Sequence, residues 1–277
     1  MSDMRVVVEG RGTVSDIRVA VVGIDGTGKT TVVRRIRERD GFAVVHAIRN
    51  HEDPHSPFAE LSRALADASA VADALGRVQL KVAVLCLQLW LYGPAERRAA
   101  ARSRVLLADR HPLVDPLVYL PMFGQLERDD EPGGDVEAWW RKQDPRAASA
   151  VRDWLRACRG DTDPWPLGEE LLRVGAEPPH TMLDTLSRRF GVTMPDRVLM
   201  LDLPVAEALR RTHARDRDSE LHETSAFLSA TRKRYGSVLD WLREARPEVA
   251  VRRIDCSGRS VEEVTDSVRR ALGPPGT

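Results

Sequence analysis

Ile17-Arg18-Val19-Ala20-Val21-Val22-Gly23-Ile24-Asp25-Gly26-Thr27-Gly28-Lys29-Thr30-Thr31-Val32-Val33 is the stretch whose reading decides the fold. Ile17 to Val22 is a short, continuous run rich in β-branched residues, the pattern of a strand buried on both faces. Gly23 to Thr30 fits G-x-x-x-x-G-K-[ST]. Its glycines let successive backbone N–H groups turn inward around a phosphate, and a helix starting there adds the positive end of its dipole. From Lys29 to Arg39, Val32, Val33 and Ile36 recur at helical spacing, with Gly41 just beyond. Strand, glycine loop and helix in that order separate a phosphate-binding loop from a bare glycine-rich turn. Gly23, Gly26, Thr27, Gly28, Lys29, Thr30 and Thr31 are therefore the expected nucleotide ligands. Lys29 is expected on the β- and γ-oxygens and Thr30 on Mg²⁺. Only four of the 42 basic residues are lysines, so a lysine inside the loop stands out from its background.

Outward from the loop, Phe42 to Ile48, Arg104 to Ala108, Arg197 to Leu203 and Val249 to Ile254 read as four more strands. Helical patterns lie between them: a helix opened by Pro57, an apolar stretch from Ala74 to Tyr92, a basic one from Ala95 to Arg102, then Val205 to Arg215, Ser225 to Ala245 and Val261 to Leu272. Strands alternating with helices predict a parallel sheet covered on both faces, a three-layer α/β fold with five strands. Residues 1–16 read as an N-terminal extension and 17–275 as one domain. Residues 120–192, punctuated by Pro121, Gly133-Gly134, Pro145, Pro164, Pro166 and Pro178-Pro179, read as an inserted helical subdomain on the acceptor and lid side. The tryptophans Trp139, Trp140, Trp154 and Trp165 in it are core residues or walls of an acceptor pocket, with core the commoner use.

Composition narrows the partners. With 42 basic and 42 acidic residues in 277, no global field favours nucleic acid or an anionic membrane. No stretch is expected to span a membrane, and Met1 to Asp16 lacks a signal-peptide core. Three widely spaced cysteines, Cys86, Cys158 and Cys256, argue against a disulfide framework, and the expected location is the cytoplasm. His51-Glu52-Asp53-Pro54-His55 fits H-E-x-x-H literally, but Pro54 disrupts the helix that two zinc ligands would share. An NTPase or NTP-binding regulator without transferase activity is the reading from another class. The absence of an N-K-x-D guanine-reading stretch weighs against a GTPase.

Gly23 to Thr31 closely resembles the glycine-aspartate-glycine loop of thymidylate kinases. Leu107-Ala108-Asp109-Arg110-His111 resembles their Asp-Arg-aromatic motif, and Leu201-Asp202-Leu203-Pro204 through Arg210 to Asp218 is similar to their fourth strand and arginine-bearing lid. Phe227, Arg232 and Tyr235 are spaced like the next helix, and Ile254 to Gly258 with Val261 to Val264 resembles the final strand and helix. The resemblance covers roughly 17–118 and 193–272. It implies a mononucleotide-kinase-like fold and transfer of the ATP γ-phosphoryl group, with Mg²⁺, to a small acceptor, above all a nucleoside monophosphate such as dTMP. The alternative is a hydroxyl of a nucleoside or specialised metabolite. It also implies roles. Arg49 would hold the acceptor's phosphate, and Arg110 would lie between donor and acceptor. Asp25 would sit near the acceptor sugar, and Asp109 would support Mg²⁺ or orient Arg110. Arg211, Arg215 or Arg217 would close over the transferring group. A homodimer through the helices near 57–100 is a further implication. The sequence departs from the family after the second strand, where Arg49-Asn50-His51-Glu52-Asp53-Pro54 keeps the arginine but lacks the glycines. It departs again at Cys86-Leu87-Gln88-Leu89-Trp90, which has no clear base-reading arginine. For a hydroxyl acceptor, Asp25, Glu52 and Asp53 are the candidate bases.

Overall fold

The computed structural model describes residues 17–40, 42–53, 55–126, 132–213 and 224–272. The N-terminal extension, Pro54, Arg215 and Arg217 lie outside the described residues. Five strands, β1 (Ile17–Val22), β2 (Ala43–His46), β3 (Val105–Asp109), β4 (Arg197–Asp202) and β5 (Ala250–Asp255), form one sheet in the order β2-β3-β1-β4-β5, every pair parallel. The chain builds β2 and β3 on one side of β1 and β4 and β5 on the other. The carboxyl end of β1 therefore lies at the switch point where open α/β sheets bind ligands. Register lines up Val21 with Asp109 and His46 with Asp109, so the ends of β1, β3 and β2 stand side by side. β1 buries its last four residues and β3 buries all five, as strands covered on both faces require. The β5 edge is mostly exposed and carries Arg252 and Arg253, charges that discourage pairing with another chain.

The helices are α1 (Lys29–Asp40), α2 (Ala59–Leu75), α3 (Val78–Leu89), α4 (Tyr92–Ala100), α5 (Asp115–Gly124), α6 (Asp135–Lys142), α7 (Pro145–Arg159), α8 (Trp165–Gly175), α9 (Pro179–Phe190), α10 (Val205–His213), α11 (Ser225–Ala245) and α12 (Val261–Leu272). The apolar stretch expected from Ala74 to Tyr92 is divided. Gly76, at φ 68°, ends α2 in the left-handed cap that glycine adopts without a Cβ penalty, and α3 starts two residues later. All of α3 except Leu85 is buried, packed among α2, α7 and α8. The expectation that no stretch approaches a membrane span needs amendment, since Val78–Ala100 is long and apolar enough by length and composition. Its most apolar window is 72% buried within the fold, and a helix covered on all sides is apolar all round for that reason.

Residues 115–190 are more regular than their prolines suggest. Pro116, Pro145, Pro166 and Pro179 stand in the first turns of their helices, where a missing N–H is no loss. Pro121 lies inside α5, and the Leu117 carbonyl, which its missing N–H would have bonded, accepts from Arg234 Nε of α11 at 3.4 Å. Trp139 and Trp165 are core residues. Trp139 Nε1 donates to Ala68 O of α2 at 2.8 Å, and Trp154 Nε1 donates to Leu87 O of α3 at 3.0 Å. These indoles fasten α6 and α7 to α2 and α3.

Candidate active site

The phosphate loop is shaped by close backbone approach. Gly23 and Gly26 have φ of 142° and 82°, and a Cβ on either would lie 2.4 Å from a carbonyl oxygen, Leu201 O for Gly23 and Ala208 O for Gly26. The loop is thus pressed between the end of β4 and the first turn of α10. Ile24 anchors it in the core, Thr27 Oγ1 donates to Ile24 O at 2.8 Å, and the loop runs into α1, whose first turn carries Lys29, Thr30 and half-buried Thr31. Lys29, 6% exposed, donates from Nζ to Gly23 O and Ile24 O at 2.8 Å each. Burial, then the nearby Arg110 charge, bring its pKa down to about 8.

Thr30 Oγ1 donates to Asp109 Oδ2 at 2.7 Å, and His46 Nδ1 lies 3.1 Å from the same oxygen. Burial alone would raise the Asp109 carboxyl, but the His46 contact, the Lys29 charge and the Thr30 hydroxyl outweigh it and hold the pKa below the ordinary value. A hydroxyl beside an ionised carboxylate at the end of a phosphate loop is a hard-oxygen donor set that suits Mg²⁺, which binds one or two carboxylates plus substrate phosphates. Among the described residues no group of three His, Cys, Asp or Glu could hold a metal. His51 is occupied with Ser62 Oγ at 3.0 Å beside a three-residue turn, so the H-E-x-x-H match forms no metal site.

Arg110 follows β3 at φ 66°, the one non-glycine residue with positive φ among those described. That conformation costs an ordinary residue about 1–2 kcal/mol and persists only where its surroundings hold it. Its N–H donates to Val21 O at 3.0 Å. Its guanidinium donates to Asp25 Oδ1, to Asp115 Oδ1 at 3.1 Å and to Tyr119 Oη at 3.3 Å. Burial would lower the Arg110 pKa, but Asp25, Tyr119, Tyr235 and Asp115 raise it well above the usual value, so it stays charged. Asp25 also lies 3.8 Å from Lys29 Nζ. Lys29, Asp25 and Arg110 therefore form one connected chain between β1 and β3.

The other expected residues separate from this cluster. Asp109 bonds Thr30 and His46 and has no contact with the Arg110 side chain, which Asp25 and Asp115 orient instead. Arg49 is exposed just past β2, and no described residue pairs with its guanidinium. Arg211 is engaged along its own helix with Glu207 at 2.6 Å. Of the three candidate bases, only Asp25 joins Lys29 and Arg110. Asp53 faces Arg102 at 3.7 Å, and Glu52 accepts through its backbone carbonyl from Arg37 at 3.4 Å. Sequence reasoning missed His46, Asp115 and Tyr119. The one local signal for Asp115 is the Asp115-Pro116 pair, an acidic residue before a first-turn proline at the start of an apolar run.

No protein-family model matches the sequence, and no match is found among curated proteins. Solved structures do match. A thymidylate kinase from Candida albicans, described as having broad substrate specificity, superposes with a TM-score of 0.54 at 11% identity, over 93% of this chain and 91% of that one. A deoxyadenosine kinase from M. mycoides is matched over 92% of this chain and 98% of that one, at 13% identity and a TM-score of 0.44 with dCTP bound. The order of the sheet, the loop after β1 and the first of these likenesses agree: the chain has the three-layer α/β fold of a thymidylate kinase-like P-loop kinase.

Proposed function

We propose that this chain transfers the γ-phosphoryl group of ATP, with Mg²⁺, to a small acceptor, a nucleoside monophosphate of the dTMP kind. The observation that carries the reading is the convergence of Lys29, Asp25 and Arg110 beside Thr30 and Asp109, at the carboxyl ends of β1 and β3. Phosphoryl transfer spreads charge over three equatorial oxygens and asks for positioned cations more than for covalent chemistry. Lys29 would exchange its two carbonyl partners for β- and γ-oxygens, and the α1 N-terminus would take the remaining charge. Thr30 and Asp109 would hold Mg²⁺, which would supply positive charge to offset the charge of the transferring phosphoryl group. Arg110, fixed from two sides, would span donor and acceptor, and Arg49, whose guanidinium no described residue pairs with, would receive the acceptor's phosphate. Arg211 and Arg215 would add lid charge. A monophosphate oxygen attacks directly and needs no base. The helices over 135–190 we read as an inserted elaboration on the acceptor side, and the three free cysteines support a cytoplasmic setting.

A second reading, transfer to a hydroxyl, is favoured by Asp25, the one candidate base in contact with both cations. ADP release should be measured against nucleoside monophosphates, nucleosides and amino sugars. Turnover of dTMP is expected. Turnover confined to unphosphorylated compounds selects the second reading, and slow hydrolysis that no acceptor accelerates discards both.

Lys29 makes nucleotide binding depend on pH. In the free protein it titrates at about 8, and phosphate oxygens in place of carbonyls would raise that value. Binding above pH 8 therefore takes up a proton, and affinity should fall with rising pH, by at most about tenfold per unit. Calorimetry at pH 9 in two buffers of different ionisation enthalpy should show uptake approaching one proton. Zero uptake there would mean that Lys29 does not meet the phosphates.

A further inference from the structure

Asp115 has no part in the phosphate loop, yet three donors hold its carboxylate. At 6% exposure it accepts from Arg110 Nη1 at 3.1 Å and from Tyr235 Oη at 2.7 Å on one oxygen, and from the His111 N–H at 2.8 Å on the other. A buried carboxylate with three donors has little freedom, so it fixes whatever it holds. Tyr235 is fully buried on α11, with its ring edge-on to Tyr119 at 6.1 Å. The neighbouring Arg234 closes the gap that Pro121 leaves in α5. Two successive residues of α11 thus fasten the helix that follows Arg110, while Asp25 holds the same guanidinium from the phosphate loop.

Arg110 pairs with Asp25 and Asp115, Lys29 lies beside Asp25, and the ionised Asp109 adds a third carboxylate near Lys29. Without Asp115, Arg110 would have one carboxylate partner among the described residues, Asp25, which also lies 3.8 Å from Lys29. The other side-chain contact of Arg110, the Tyr119 hydroxyl at 3.3 Å, is neutral and bears on the same nitrogen that Asp115 holds.

We propose that Asp115, held by Tyr235, is a positioning residue for phosphoryl transfer: it aims the Arg110 guanidinium and makes that aim depend on how α11 seats against α5. The proposal rests on the kinase reading above for its catalytic consequence. Its geometric content, the immobilisation of Arg110, stands apart from that reading.

The test compares Asp115→Asn, Asp115→Glu, Tyr235→Phe and the Asn/Phe double variant in the full-length protein, with thermal midpoints recorded for each. Misplacement of a reacting group by about 1 Å can cost about 10²-fold in rate, so Asp115→Asn should lower kcat by roughly 30- to 100-fold and leave the KM for ATP within about threefold. Tyr235→Phe should move kcat in the same direction by about fivefold, and on the Asn background it should add less than about twofold, because both changes break one chain. Asp115→Glu should recover part of the loss. In parallel, the Arg110 Nη–H resonances, assigned by their disappearance in Arg110→Lys, should exchange slowly in the wild-type protein and broaden in Asp115→Asn and Tyr235→Phe. A folded Asp115→Asn protein with unchanged kcat, losses that multiply in the double variant, or unchanged Arg110 resonances would overturn the proposal. If Asp115→Asn does not fold, Tyr235→Phe decides by both readouts. If the wild-type protein phosphorylates no acceptor, the kinase reading fails, and the resonances still decide whether Asp115 immobilises Arg110.

Discussion

Replacing Lys29 by methionine is expected to lower phosphoryl transfer by about 10³-fold or more while leaving the protein as stable as before, or more so. The two halves of that result have one cause. Lys29 is 6% exposed, and its pKa falls from 10.5 to about 8, burial being the larger reason and Arg110 the second. At 1.36 kcal/mol per unit, keeping it charged costs the folded state on the order of 3 kcal/mol near neutral pH. Methionine fills much of the same volume without that cost, although Gly23 O and Ile24 O lose a donor each. The sign of the pH effect follows. The folded pKa lies below the unfolded one, so the penalty is fully present below pH 8 and is relieved as pH rises from 8 to 10.5. Wild-type stability should gain from this group over that window, and the Lys29→Met variant should not. Unfolding midpoints at pH 7 and 9.5, with single-turnover rates at pH 7, check both halves. A variant that keeps transferring would remove the phosphate-loop assignment altogether.

Arg110→Lys comes second in size, with an expected loss of about 10²- to 10³-fold in kcat/KM. Lysine keeps the charge but not the planar fork, which here reaches Asp25 and Asp115 at once with Tyr119 beside it. Arg110→Ala adds a stability loss that the lysine variant largely avoids. Removing one member of a buried ion pair leaves the other uncompensated, at about 3–5 kcal/mol, and Asp115 is buried. Comparing melting midpoints with initial rates for the two variants separates the charge requirement from the geometric one. Equal activity in wild type and Arg110→Lys would show that the fork is not used.

The residues legible from sequence share a physical property: their roles are local. The strand, glycine loop and first turn of α1 are contiguous, and the α12 boundaries, Val261–Leu272, follow directly from its helical periodicity. Asp109 and Arg110 were visible through the resemblance of Leu107 to His111 to the Asp-Arg-aromatic motif, at the carboxyl end of a buried strand where ligands collect. Asp115 was not, because its meaning comes from Tyr235, 120 residues away. His46 was hidden in the same way, its partner Asp109 being 63 residues on. The helices over 115–190 were only partly legible, because a first-turn proline and a loop proline look alike in one dimension. Pro121 misled further, since the donor that completes its helix arrives from α11. The apolar run of α3 shows only that something covers it, and here part of the cover is the chain's own α7 and α8.

The indoles that tie α6 and α7 to α2 and α3 also determine what light can report about this molecule. Of the six tryptophans, Trp90, Trp139, Trp140, Trp154 and Trp165 stand on or beside these helices, Trp241 lies on α11, and none stands on the loop or α1. Intrinsic emission therefore follows the helical layer and is nearly blind to the phosphate loop. A melt followed by fluorescence weights the helical layer, whereas circular dichroism follows the backbone of the whole chain, so coincidence or separation of the two tells whether that layer unfolds together with the rest.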